Sequence, residues 1–167
     1  MHPDILYTVE YLEARSQDYW MAFVQNTNYD IAKDTLRWMI RSGQCDKSVA
    51  LAMYWSISAG YFVQYGGRNQ VPAYERLDYN IVKKIERMYL ADEFPMTGLG
   101  FDPTPHLNDY ADVPVVTPIP EAMKTPVPGR QVDMAALTRD WENGLPPEVW
   151  ARLDADEAHK NFTEENP

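Results

Sequence analysis

Cysteine is almost missing from this chain, and the single Cys45 excludes an internal disulfide and a cysteine-rich zinc site. Histidine is nearly as scarce. His2, His106 and His159 lie too far apart for a local metal motif, and neither HExxH nor an i, i+4 histidine pair occurs. Long hydrophobic runs are lacking too, since no window approaches the roughly 18 apolar residues that a membrane-spanning helix needs. The first residues, MHPDILYTVEYLEA, carry acids where a secretory signal carries a basic region, and no small-residue cleavage site follows an apolar stretch. A cytoplasmic protein away from membranes is expected. Walker loops, nucleophile elbows and EF-hand spacings are absent, and Gly98-Leu99-Gly100 lacks the third glycine and the setting of a dinucleotide fingerprint, so it reads as a turn. The last shortage is of positive charge: 15 basic residues stand against 25 acidic ones, for a net charge of −10. Such a chain repels phosphate backbones and has no basic stripe, which argues against nucleic acid as a partner.

What is present is a hydrophobic content of 45% and an aromatic content of 13% over 167 residues, enough for a packed core and too much for wholesale disorder. Charge and proline divide the chain. Before Phe94 there are 10 basic and 12 acidic residues, and from Phe94 onward 5 and 13, so the net passes from −2 to −8. Eight of the 13 prolines fall between Phe94 and Arg130, a density that no helix survives. The expected organisation is therefore a helical body over 1–93, a proline-rich arm over 94–130, and an acidic C-terminal helical segment over 131–167 that can pack on the body. The fold class is mainly α: a small helical bundle with an extended arm and short C-terminal helices.

Within the body, apolar residues recur at helical spacing. Ile5, Val9 and Leu12 make one face, and Trp20, Phe23 and Val24 another. Asp30 is placed to cap a helix with an Ala32, Leu36, Met39, Ile40 stripe, ended by Gly43 in a left-handed conformation. Asp46 is placed to cap the next, whose Val49-to-Ile57 run is apolar on nearly every side and suits a central position. After Gly66-Gly67 and Pro72, the residues Tyr74, Leu77, Ile81, Ile85 and Met88 form a stripe with charged residues on the other faces.

The arm has the composition of polyproline II and turns. It reads as a spacer or a wrapping strap, with VPVV as a short edge strand and Phe94, Leu99, Phe101 and Leu107 as apolar feet. Beyond it, Asp133 caps a short helix with Met134, Leu137 and Trp141, ended by Gly144. Pro146-Pro147 opens another with Val149, Trp150 and Leu153 facing in, and the final NFTEENP reads as frayed.

Candidate sites each have two readings. Cys45 before a helix N-terminus is where a reactive thiolate forms, yet Asp46 opposes that effect and the distant His106 is the only base in view, so a buried apolar role competes. Asp102, His106 and Asp109 can gather round a cation or simply furnish a polar loop. No cofactor, metal or enzymatic activity is expected. Tyr54, Trp55, Tyr61, Phe62 and Tyr65 are a dense aromatic run followed by Arg68, which either stacks bases or a nucleotide ring or simply packs the core, and its Tyr61, Tyr65 and Arg68 end is the part expected at the surface, as a partner-binding anchor. Acids crowd the C-terminal part, where Asp154, Asp156 and Glu157 either solvate the surface or form a docking face for a basic partner.

Leu36-Arg37-Trp38-Met39-Ile40, followed by Cys45-Asp46-Lys47-Ser48-Val49-Ala50-Leu51-Ala52-Met53-Tyr54-Trp55, resembles a small bacterial family of domains of unknown function. The pattern is a tryptophan near the end of one helix, a Cys-Asp pair at the joint, then a Ser/Thr-x-Ala-Leu helix ending in an aromatic pair. Such domains resemble the immunity proteins that accompany polymorphic and contact-delivered toxins. The resemblance implies a cytoplasmic immunity protein that neutralises a cognate toxin by direct binding. The alternative is an adaptor or chaperone that loads a secreted effector. The matching residues are those a helical hairpin needs, with Trp38 and Trp55 filling space, Asp46 capping and Ala50 allowing close approach. The oligomeric state stays open.

Overall fold

In the computed structural model the backbone is described for residues 2–165 and the side chains for residues 2–159. Eight α-helices are present among the described residues: α1 (Pro3–Glu13), α2 (Gln17–Asn26), α3 (Tyr29–Arg41), α4 (Lys47–Ser56), α5 (Arg76–Leu90), α6 (Glu121–Lys124), α7 (Met134–Leu137) and α8 (Pro147–Glu165). Four 3-10 turns join them, and the only pairings of extended backbone among the described residues are isolated bridges. The mainly α reading holds.

The core is built around α4, whose residues Ser48 to Trp55 are all buried. Its amphipathic neighbours turn their apolar faces to it. Trp20, Met21, Ala22, Phe23 and Val24 come from α2, and Ala32, Leu36, Met39 and Ile40 from α3. The Trp20 indole N–H donates to the Leu12 carbonyl at 2.8 Å, which ties the end of α1 to α2. Gly43 takes the left-handed conformation expected past the end of α3 (φ +71°).

Two expectations for the helices need correcting. The cap of α3 is Asn28, which accepts from the Asp30 amide at 3.0 Å, while Asp30 sits in the first turn, where its carboxylate faces the helix N-terminus and meets Lys33 at 3.3 Å. The inward face of α5 is Asp78, Ile81, Val82, Ile85 and Tyr89. Tyr74 is 80% exposed and Leu77 also faces out, because Pro72 and a 3-10 turn over Ala73–Glu75 delay the helix until Arg76 and rotate its register. Asp78 can lie inward because Lys33 Nζ reaches its carboxylate at 3.0 Å from α3.

The arm is a strap closed on itself. Phe101 and Val127 exchange backbone hydrogen bonds at 3.0 and 2.9 Å, Gly100 N–H donates to Arg130 O and Arg130 N–H to Gly98 O, both at 2.9 Å. The two runs approach so closely at Gly100 and Gly129 that a Cβ on Gly129 would lie 2.5 Å from the Gly98 carbonyl oxygen, so this crossing admits only glycine. Phe94, Leu99, Phe101, Met123 and Val127 enter the core with the body helices, whereas Leu107 faces out. VPVV forms no strand. Val115 and Val116 are exposed, and the Val116 and Thr117 amides both donate to Val63 O at 2.8 Å.

Asp133 caps α7 through the Ala136 amide at 3.1 Å, and an Asn143-Gly144 turn at positive φ leads into α8. Val149 is buried and α8 lies along α1. The helix continues to Glu165 through much of the segment read as frayed, whose side chains, together with residues 166–167, lie outside the described residues.

Candidate functional site

The acidic end is organised by the seam between α1 and α8. The Tyr7 hydroxyl donates to the Asp156 carboxylate, and the Arg152 guanidinium lies 3.8 Å above the Tyr7 ring while pairing with Glu10 at 2.6 Å. Arg15 reaches Glu148 at 3.3 Å and stacks over the rings of Tyr11 and Tyr19. Hydrogen bonding to Asp156 raises the Tyr7 pKa, with burial adding to it. These contacts divide the acids into engaged and exposed ones. Asp156 is half-buried and engaged with α1, so its role is to seat the helix, while Asp154 and Glu157 point into solvent. Exposed Asp133, Asp140 and Glu142 on the preceding turns extend the negative surface.

The aromatic candidates lie in another part of the fold, on the 3-10 turn Ala59–Gln64 that follows α4 and on its sequel. Tyr61 and Tyr65 share a hydroxyl hydrogen bond of 3.1 Å, and Tyr61 also donates to Glu75 at 3.3 Å. That network, with partial burial, pushes the Tyr61 phenol above its usual pKa and keeps it protonated. Both rings are half-buried, Tyr110 of the arm packs edge-on against Tyr61, and Arg68 is exposed. Phe62 is core, while Tyr54 and Trp55 are buried in α4. Nearby, Trp55, Gly60, Val63, His106, Tyr110 and Lys124 line a cleft of about 220 Å³ between α4 and the arm.

Cys45 is fully buried, its thiol donating at 3.7 Å to the Asp46 carbonyl, and burial followed by the Asp46 charge pushes its pKa well above the ordinary thiol value. The buried apolar reading fits, and a thiolate nucleophile does not. The His106 ring lies nearly parallel to those of Trp55 and Phe101, with ring centroids at 6.3 and 6.1 Å, and its Nδ1 lies 3.1 Å from Asp109. Asp102 instead accepts from the Thr104 amide at 2.9 Å, so the three do not converge on a cation. Among the described residues no group of three or more His, Cys, Asp or Glu is arranged for a metal ion, and no helix is long and apolar enough to cross a membrane.

Sequence reasoning missed two features. The first is the second duty of Asp46: one oxygen accepts the Ser48 amide at 2.7 Å as the cap of α4, and the other accepts the Thr97 amide and hydroxyl at 2.6 and 2.8 Å. Lys47 N–H to Pro95 O (2.8 Å), Ser48 Oγ to Leu99 O (2.6 Å) and the Trp55 indole to Met123 O (2.9 Å) complete the fastening of the arm. No local pattern betrays a contact across fifty residues. The second is a cluster of cations where α3 faces α5. Arg37 and Arg41 at i, i+4 are a visible signal, but their juxtaposition with Lys84 is not.

No curated protein and no solved structure matches the chain. Residues 15–90, from the turn before α2 to the end of α5 and including the Trp38…Cys45-Asp46 joint, match a family described as a domain of unknown function, DUF4274.

Proposed function

We propose that this protein is a non-enzymatic bacterial immunity protein that neutralises a cognate basic toxin by direct binding in the cytoplasm. The observation that carries the reading is the sorting of acids at the C-terminal end. Asp156 seats α8 on Tyr7, whereas Asp154, Glu157, Asp133, Asp140 and Glu142 face outward without disturbing that seam. A rigid helix holding carboxylates in solvent, on a chain of net charge −10, attracts a cationic partner at long range and limits wrong pairings. Tyr61 and Tyr65, pre-ordered by their shared hydrogen bond, and the exposed Arg68 supply an aromatic anchor with little side-chain entropy left to lose.

The test is protection and association with the protein encoded beside the gene. Cells expressing this chain should survive that toxin without any export machinery; protection that requires secretion would favour an adaptor instead. In stopped-flow binding, Asp154→Asn with Glu157→Gln should slow association about threefold at low salt and flatten its salt dependence. Identical rates and slopes would leave these acids as solvated surface. Asp156 is left intact, because its loss would unseat α8 and confuse the result.

A further inference from the structure

In a chain of net charge −10, four of the 15 basic residues converge on one place. Arg37 and Arg41 stand one turn apart on α3, and Lys84 and Arg87 on α5. Arg37, Arg41 and Lys84, with Leu77 and Asn80, line a cleft of about 190 Å³. The same two arginines also wall a second, larger cleft of about 540 Å³, completed by Trp38, Ile5 and His2, with Asp34 among its lining residues. The Trp38 ring is held by Trp20, whose centroid lies 5.1 Å away.

The acids nearby neutralise only half of this group. Asp34 pairs with Arg37 at 3.1 Å and Glu93 with Arg87 at 3.3 Å, while no carboxylate bonds Arg41 or Lys84 among the described residues. Partial burial and then the charges of Arg41, Arg87 and Arg37 lower the Lys84 pKa, against the weaker opposite pull of Glu93. A fold that keeps like charges together gains when an anion enters between them.

We propose that the cleft between α3 and α5 binds a phosphomonoester, its oxyanion held by Arg37, Arg41 and Lys84 and its organic part lying in the adjoining cleft against Trp38. Two guanidinium forks and an ammonium suit a tetrahedral dianion better than a single carboxylate, since planar forks donate pairs of hydrogen bonds and the three cations, less the charge of Asp34, balance two negative charges. The negative charge of the chain disfavours an extended polyanion such as nucleic acid, whereas a small ligand meets only the local positive field. Shared walls place the ring and the phosphate in adjacent clefts, so ligand size is part of the recognition.

The test is NMR titration of the full ¹⁵N-labelled chain, following the arginine side-chain N–H and tryptophan indole signals, with inorganic phosphate, phenyl phosphate and acetate at constant ionic strength. Phenyl phosphate should bind saturably and about fivefold more tightly than inorganic phosphate, with acetate weaker still. Arg41→Gln and Lys84→Gln should each weaken phenyl phosphate about fivefold or more. Both variants should melt no lower than the wild type without ligand, because they remove repulsion. Shifts that never saturate, or that sodium chloride reproduces, or that survive both substitutions, would overturn the proposal. Equal affinity for phenyl and inorganic phosphate would overturn the part given to Trp38. None of these outcomes depends on the immunity reading, whose acids lie on α8 and the turns before it.

Discussion

Replacing Asp46 by alanine tests the claim that one carboxylate both starts α4 and fastens the arm. The side chain is 1% exposed and accepts three hydrogen bonds, from Ser48 N, Thr97 N and Thr97 Oγ1. Loss of a buried N-cap costs about 1–2 kcal/mol. The two bonds from Thr97 lie at the edge of the exposed arm, where water can replace the carboxylate, so together they add about 1 kcal/mol rather than the full value of charge-assisted bonds. The expected total is about 2–3 kcal/mol, or a fall in Tm of about 4–12 °C for a chain of this size. Urea unfolding followed by tryptophan fluorescence gives the free energy, and hydrogen exchange at the Ser48 and Thr97 amides locates it. Asp46→Asn should lose about half as much, because one carbonyl oxygen can still cap α4 while the amide group faces the Thr97 donors. Thr97→Val should lose little by itself and nothing further in the Asp46→Ala background, since the shared bond is already gone. A loss below about 1 kcal/mol in Asp46→Ala, with both amides still protected, would refute the double role.

Other consequences follow from the same packing. Trp55→Ala should cost about 4 kcal/mol in urea unfolding, because it leaves a cavity in the core and strands the Met123 carbonyl that accepts the indole N–H at 2.9 Å; a protein that unfolds normally would place Trp55 outside the core. Cys45 should react with iodoacetamide only at the rate of global unfolding, and rapid labelling of the folded chain would contradict its burial. Arg130 holds Asp18 through paired contacts of 2.6 Å and lowers its pKa, chiefly by hydrogen bonding and also by charge, against the opposing effect of burial. A carboxyl depressed in the folded state stabilises the fold above its unfolded pKa and ceases to do so as pH falls through the folded value. Arg130→Gln should therefore flatten that acid-side loss and raise the Asp18 pKa seen by NMR; an unchanged value would refute the pairing. Truncation before Phe94 should yield aggregating or poorly helical material by circular dichroism and sedimentation, since it removes Phe94, Leu99, Phe101, Met123 and Val127 from the core. Soluble material of undiminished cooperativity would show the opposite.

The helices were legible where apolar periodicity and a cap agreed. Asp46 and Asp133 cap where short acidic residues precede apolar runs, and Gly43 ends α3 as a left-handed glycine should. Errors arose where a turn residue preceded the periodicity. Asp30 looked like a cap, but Asn28 stands two residues earlier and is equally able to accept from the first amides. The inward face of α5 departs from the apolar stripe because the 3-10 turn delays the helix to Arg76 and because Asp78 lies inward only where Lys33 arrives from another helix. The end of α4 had no signal at all: Ser58 adopts a left-handed conformation (φ 64°) where glycine would be looked for. In the candidate sites, exposure was readable for Arg68, Asp154 and Glu157 but not for Asp156, whose Tyr7 partner lies 149 residues away.

The family match ends at residue 90, yet the polar groups at its centre are satisfied from beyond it. Asp46, Lys47 N–H and Ser48 Oγ bond to Thr97, Pro95 and Leu99, the Trp55 indole bonds to Met123, and Val63 O takes the amides of Val116 and Thr117. Buried polar groups without partners cost about 1–3 kcal/mol each, so a segment with this many open donors and acceptors has to be covered by something. Here proline supplies the covering chain in a form that suits the task. With no amide hydrogen and a fixed φ, it cannot extend a helix or a ladder, but it leaves the intervening carbonyls and amides of residues 95–123 free to bond to the body. The composition that made the arm look like a linker is thus also what lets it act as a strap: its carbonyls meet donors on α4, its apolar feet enter the core between them, and the glycine crossing at Gly100 and Gly129 closes it. Composition alone cannot separate a linker from a strap, because the difference lies in whether partners wait for those groups on the body.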